Sequence, residues 1–261
     1  MWVVTQAQIE VWLALFWWPF LRIIGLMVAD PFYSSRRISV RVRVAFAIIL
    51  AVVIAPTLPQ MSTVPVVSPD GVLIAFRELL IGISIGFLMR LVFTAVEMAG
   101  HLAGLQMGLG FASFYDPQNA SNTLAVAQLM SLMMILLFLS LNGHLMMLQI
   151  LIESMTTLPV GQTHLNGKGF ELIAIYGGVI FRSAVLLSLP VLVALLITNL
   201  SIGVMTRAAP QLNVFAIGFP LTLGIGFAAL YYSLPFMLPQ IDQLIGGTTR
   251  IANQILKAFG G

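Results

Sequence analysis

GHLAGLQMGLGFASFYDP, residues 100–117, joins two long apolar segments, and its reading decides the fold. It holds no lysine or arginine, and its acidic residue, Asp116, stands near the far end. Glycines recur at 100, 104, 108 and 110, and aromatics at 111, 114 and 115. A wet connector between membrane spans is ordinarily polar. In hydrocarbon, non-helical backbone survives only where protein surrounds it or a water-filled cavity lies beside it. An apolar, glycine-rich connector therefore points to a re-entrant or constricting element in a pore. The same residues also fit a third helix that runs to about residue 110 and then turns.

Composition sets the class. The chain is 59% hydrophobic and 8% charged, with a mean hydropathy of +1.02. A soluble domain carries roughly 25% charged residues, so this chain cannot build a water-exposed surface alone. It reads as an integral membrane protein. The absence of cysteine excludes disulfides and cysteine metal sites. The formal charge is only +3, and RRISVRVR at 36–43 is too short a basic tract for nucleic acid. The N-terminus shows neither a basic leader nor a cleavage site, so no removable signal peptide is expected.

About six apolar blocks follow, at 11–29, 44–55, 72–99, 124–152, 172–205 and 212–241. A span needs about 20 residues. The second block reaches that only by borrowing residues 40–43 and 56–58. The later blocks exceed it and must tilt, bend or project beyond the lipid. Bends have candidates in Pro19, Pro190, Pro220, Pro235 and Pro239, and in the glycines at 177–178, 224 and 226. Arg36, Arg37, Arg41 and Arg43 put the first connector in the cytoplasm, and alternation then puts Arg207 there too.

Charges inside the blocks are costly in lipid and mark function or tight pairing. Arg90, Thr94, Glu97 and His101 share one helix face. An intramembrane pair of Arg90 with Glu97 is expected, either neutralising one another or bracing a conduit. Gly82 and Gly86 form a GxxxG pair, and Gly100, Gly104 and Gly108 continue the four-residue spacing as a small-residue stripe for close helix packing. Arg22 and Arg182 read as lone cations that snorkel to an interface. Met130, Met133 and Met134 lie together on the fourth block and read as core packing, with a compliant seal as the alternative. No catalytic or metal constellation emerges. The histidines at 101, 144 and 164 lack HExxH spacing, and neither GxSxG nor a phosphate loop is present. Enzyme is the least favoured class, and no cofactor is expected.

Four stretches carry a resemblance: GLQMGLGFASFYDP at 104–117, FLSLNGH at 138–144, TLPVG at 157–161 and RAAPQLNVFAIGFPLTL at 207–223. They resemble the FliR family of the flagellar type III export gate, and the likeness runs from WWPFLRI at 17–23 through the sixth block. The resemblance implies an all-α membrane protein of about six long, partly broken hydrophobic helices in a helical export-gate assembly. It implies a FliP-like part at 1–171, a FliQ-like helical hairpin at 172–241, and a tail at 242–261 for which an amphipathic helix is one reading and the assignment stays open. Implied partners are FliP and FliQ homologues, the export-gate proteins FlhA and FlhB, unfolded flagellar export substrates and membrane lipid. The implied place is the bacterial inner membrane at the flagellar basal body.

The resemblance also implies a plug loop at about 106–122, closing the pore through Gln106, Met107, Gly108, Gly110, Phe111, Phe114, Tyr115, Asp116 and Pro117. The tip of the hairpin falls at Arg207, Pro210 and Gln211. Leu109–Gly110 departs from the family, where many relatives have a serine after the leucine; the glycine adds freedom and removes a hydroxyl. An equivalent subunit of a virulence injectisome, or a secondary transporter working alone, stays open as an alternative.

Overall fold

A computed structural model describes residues 5–35, 38–58, 64–111, 124–161, 164–211 and 214–260. Those residues form α-helices and short 3-10 turns. The helices are α1 Gln6–Ala29, α2 Val40–Ile54, α3 Pro69–Gln106, α4 Ala125–Ser140, α5 Gly143–Thr157, α6 Gly167–Tyr176, α7 Val179–Ala208 and α8 Val214–Gly260. Five stretches are long and apolar enough to cross a membrane, or up to six if the bent pair α4–α5 counts as one. This is an all-α membrane protein.

Helix ends follow local chemistry. Thr5 and Gln8 form a reciprocal capping box at the start of α1. The Ser39 hydroxyl accepts from the Val42 N–H at the start of α2. A 3-10 turn over Ala55–Thr57 extends α2, so the span runs Val40–Thr57 and takes in residues from both flanks, as its short block required. The fourth block breaks at Asn142, whose φ of 56° lies in the left-handed region that asparagine tolerates. The fifth breaks at Gly177–Gly178. None of the five prolines ends its helix: Pro19, Pro190, Pro220, Pro235 and Pro239 all lie inside one. The sixth block continues without interruption through the tail, which is helical to residue 260.

The chain divides into two compact units. The first comprises Met1–Leu91, Asn142–Gly177 and Ile245–Gly261. In it α1 packs on α3 at very short range. A Cβ at Gly86 would lie 2.6 Å from the Leu26 carbonyl oxygen, and one at Gly82 would collide with the Arg22 carbonyl. The 82/86 stripe is thus a close-approach face. The end of α8 is seated on α6: the Asn166 N–H donates to the Phe259 carbonyl at 3.1 Å, and Phe170 meets Phe259 edge-on at 4.9 Å.

The second unit comprises Val92–Leu141 and Gly178–Leu244. The last turns of α3 pack on α4. A Cβ at Gly100 would lie 2.6 Å from Ala127 Cα, and Phe93 meets Phe138 edge-on at 5.3 Å. Met130 and Met134 are buried here as core, while Met133 is half-buried. α7 leaves Val185, Leu186, Leu189, Val193, Leu196, Ile197, Leu200 and Val204 exposed. A run that long on one helix is a surface for lipid or protein rather than for water.

Candidate functional site

The glycine-rich connector resolves into two different things. Up to Gln106 it is helix, and Gly100 and Gly104 serve close packing against α4. The re-entrant expectation fails for those residues; the longer third helix describes them, because their backbone N–H and C=O groups are met within α3. Beyond Gln106 the chain turns. Gly108 has φ of 87°, a left-handed conformation that glycine adopts freely, and Leu109–Phe111 form a 3-10 turn.

Met107 anchors this turn. Its side chain is fully buried, and its N–H donates to the Ala103 carbonyl at 2.9 Å. Its own carbonyl accepts from the Thr222 hydroxyl of α8 at 3.3 Å. The side chain lies on bare Gly226 backbone, where a Cβ would come within 2.5 Å of Met107 Cγ. Gln106, Gly108 and Gly110 are half-buried. Phe111 contributes backbone to the turn. Phe114, Tyr115, Asp116 and Pro117 lie outside the described residues.

Arg90 and Glu97 are placed with different partners. The exposed Arg90 guanidinium donates through Nη2 to the Ser34 hydroxyl at 3.4 Å. Glu97 Oε1 lies 3.9 Å from His101 Nε2 on the next turn, both partly exposed. Arg207, Pro210 and Gln211 are exposed at the connection between α7 and α8.

The strongest polar construction was not foreseen. Arg22 is no snorkelling cation: it is completely enclosed. Its Nε donates to Glu78 Oε2 at 2.6 Å, its Nη1 to the Ser154 carbonyl at 2.7 Å and hydroxyl at 3.1 Å, and its Nη2 to the Leu158 carbonyl at 2.9 Å. Glu78, also enclosed, takes Arg77 Nη1 on its other oxygen at 3.1 Å, and that same Nη1 reaches the Pro159 carbonyl at 3.1 Å. One cluster thereby pins α1, α3 and the end of α5. Charge-assisted bonds of this kind are roughly twice as strong as neutral ones. Sequence held a partial signal, an Arg–Glu dipeptide inside an apolar run. Nothing in it tied residue 78 to residue 22. Arg182, the other cation read as lone, is exposed.

A second buried charge closes the other end of α1. Asp30 Oδ1 accepts the N–H groups of Phe32 at 2.9 Å and Tyr33 at 3.0 Å, fixing the turn. Its Oδ2 is buried with no partner among the described residues. Burial pushes the Asp30 carboxyl from 3.8 up to about 6, against the opposing pull of the Tyr33 and Phe32 N–H groups and the Arg90 charge. Burial, then the Asp30 charge, pushes the Tyr33 phenol up to about 12. The phenol donates to the His144 carbonyl at 3.3 Å, and its ring stacks on Phe46 of α2.

Among the described residues no group of acidic and histidine side chains is arranged to hold a metal ion. What the geometry defines is a helical membrane protein with apolar faces outward and with Arg22, Arg77 and Glu78 folded into a helix crossing. The chain belongs to the bacterial export proteins of family 1, whose sequence profile matches residues 13–248. It is 40% identical over 241 residues to the flagellar biosynthetic protein FliR of Escherichia coli strain K12, covering 92% of each chain. It is 38% identical over 245 residues to the FliR of Pectobacterium carotovorum, covering 94% of each. With the FliR of Bacillus subtilis strain 168 it shares 28% identity over 244 residues.

Proposed function

We propose that this chain is a core subunit of the flagellar type III export gate, forming with FliP and FliQ homologues the channel through which unfolded flagellar proteins leave the cytoplasm. The observation that carries the reading is the match to flagellar FliR proteins over nearly the whole length of both chains. The exposed apolar faces of α7 and α8 support it, since a subunit packed among others and in the inner membrane needs such surfaces. In this reading residues 1–171 are the FliP-like part and residues 172–241 the FliQ-like hairpin. Arg207, Pro210 and Gln211 form its cytoplasmic tip. FlhA and FlhB are the neighbouring gate components.

The plug begins where α3 ends. Met107, buried against Gly226 and bonded to Thr222, holds the stem of the loop that Phe111, Phe114 and Tyr115 turn into a hydrophobic constriction. Such constrictions gate by excluding water, so ions are held back while no substrate is present. The polar face of Arg90, Thr94, Glu97 and His101 meets water or a neighbouring subunit, consistent with its partial exposure. The chain's part is structural and gating rather than catalytic.

Deleting the gene tests the function. Swimming and flagellin export should stop, and effector secretion by any injectisome should continue. Loss of effector secretion with motility intact assigns the chain to an injectisome instead. The tagged chain should co-purify with FliP and FliQ homologues; stability and transport activity without them would indicate a lone transporter. Replacing Phe111, Phe114 and Tyr115 by alanine should make cells leaky to ions, and unchanged conductance removes the plug assignment.

A further inference from the structure

α2 is the least covered of the candidate spans: 17% of its most apolar stretch is buried, against 61% in α3. It packs on α1. Its buried side chains are Ala47, Ala51 and Ile54, a narrow stripe at helical spacing. The opposite side is open. Arg41, Ala45, Ile48 and Val52, spaced by four, three and four residues, form one exposed row. Val42, Ile49 and Val53 form a second row beside it.

The make-up of this face says what covers it. From residue 44 to residue 56 no side chain carries a hydrogen-bonding group. Helices that pair within a membrane do so through small residues and polar side chains. On α2 the small Ala47 and Ala51 are already spent on the inner stripe, and the outward rows are mainly branched aliphatics. Such rows suit acyl chains. Charge then marks one end. Residues 31–69 hold four arginines and no acidic residue. Arg41 is exposed, and its guanidinium makes no ion pair or hydrogen bond among the described residues. Arg43 lies toward the packed side, its Nε buried without a partner, and adds positive field at the same end.

Dimensions and charge fit one kind of occupant. Arg41 and Val52 lie about 16 Å apart along the helix axis, and half of the hydrocarbon core is about 15 Å deep. The outer row is therefore as long as one leaflet's acyl chain, with the arginine at the headgroup end. Arginine-rich connectors stay in the cytoplasm, where the leaflet's anionic headgroups attract basic residues beside a span. A zwitterionic headgroup brings its own ammonium toward the arginines, whereas a net-negative one does not. We propose that the outward face of α2 binds an anionic phospholipid of the cytoplasmic leaflet, with the headgroup phosphate on Arg41 and an acyl chain along Ala45, Ile48 and Val52.

The test uses the full-length chain in its complex, reconstituted in nanodiscs of phosphatidylcholine and phosphatidylglycerol in equal amounts. A benzoylphenylalanine placed at Ile48 captures its neighbour on illumination, and mass spectrometry identifies the adduct. Phosphatidylglycerol should dominate. Arg41→Gln should lower its excess about five-fold, as removal of one basic residue beside an anionic surface implies. Arg41→Lys keeps the charge and should keep most of the excess. Arg41 is exposed and unpaired, so the melting temperature of Arg41→Gln should match the parent. Adducts in the bulk lipid ratio overturn the proposal, and so does an excess that Arg41→Gln leaves unchanged. Capture of a protein chain, or of no lipid, overturns it as well, since the face would then be a subunit contact or lie outside the bilayer.

Discussion

The two halves of α3 are held by opposite means. At residues 77–78 the helix is fixed by buried ion pairs to α1 and by carbonyl acceptors at and just after the end of α5. At residues 103–108 the end of α3 and the turn after it are held by apolar contact, with Gly104 against Leu124 and Met107 lying on glycine backbone, and by one neutral hydrogen bond at 3.3 Å. A buried charge network tolerates no partial opening, because each separated partner becomes an unpaired charge. A thioether on glycine is compliant and can slide or repack at low cost. The chemistry thus separates a rigid anchor from a joint that can give, and the joint is the one beside the loop assigned to the plug.

Breaking the anchor should have the largest effect. Glu78→Ala leaves two guanidiniums buried together, and loss of one partner from a buried pair costs about 3–5 kcal/mol. The yield of folded, membrane-inserted chain should collapse, and what is extracted should melt far lower. Replacing Arg22, Arg77 and Glu78 together by Met, Leu and Leu should recover part of the loss, as an apolar core of similar volume often does. An unchanged melting temperature for Glu78→Ala would show that the cluster anchors nothing.

The joint should respond more mildly and in a coupled way. Met107→Ala removes a buried side chain and should cost about 2–5 kcal/mol, toward the low end if the loop stem collapses into the gap. Gly226→Ala overfills the contact and should cost about 1–3 kcal/mol. In the Met107→Ala background the new methyl meets open space, so the two losses should fall short of additive by about 1 kcal/mol or more. Strict additivity in thermal melts would mean that the two residues do not share a contact.

Asp30 sharpens the comparison, because it is a charge buried without the counter-ion that Arg22 enjoys. Its carboxyl sits at about 6 in the folded protein against 3.8 unfolded, so the native state holds more protons in that window. The stability it contributes is complete below the unfolded value and is lost as pH rises through about 6. Melting temperature should therefore fall across that range. Asp30→Asn keeps the acceptor for the Phe32 and Tyr33 N–H groups but cannot ionise, and its melting curve should lose this slope. Arg90→Gln should move the slope to higher pH, since the Arg90 charge lowers the carboxyl. An identical pH profile for Asp30→Asn and the parent would show that the carboxyl does not titrate there.

What sequence could and could not show divides along the same line. Apolar blocks announced the helices because lipid forces every backbone group to be satisfied within its own segment. The need of α2 for extra residues at both ends could be read from its length, and the 82/86 stripe from its spacing. The prolines that suggest breaks sit inside their helices; of the bend candidates in sequence, the glycine pair at 177–178 is where a break falls, and the other break falls at Asn142. Asn142 stands before Gly143, an Asn-Gly pair of the kind that marks turns, inside a block whose apolar length reads as one continuous span. Gly100 and Gly104 fit both the loop and the packing stripe in sequence, because composition does not distinguish a glycine that turns a chain from one that lets two helices touch; the stripe is the reading that describes them. The Arg22–Glu78 pair was invisible because 56 residues separate its members. Pairing across that distance is a property of packing, not of pattern.

The smallest expected effect tests whether the hydrogen bond or the packing holds the joint. Thr222→Val removes the hydroxyl that donates to the Met107 carbonyl and keeps the shape of the side chain. A neutral hydrogen bond is worth about 0.5–1.5 kcal/mol net. The value here should lie at the bottom of that range, because the same hydroxyl also reaches the Phe219 carbonyl of its own helix at 3.0 Å. Melting temperature should barely move. The informative readout is hydrogen exchange at the Gly108 N–H, which donates to the Leu105 carbonyl at 3.0 Å. If the hydroxyl restrains the turn, exchange there should quicken in Thr222→Val while amides near Arg77 stay unchanged. If exchange at Gly108 is unaltered by Thr222→Val but rises in Met107→Ala, packing alone holds the joint and the hydroxyl serves only its own helix.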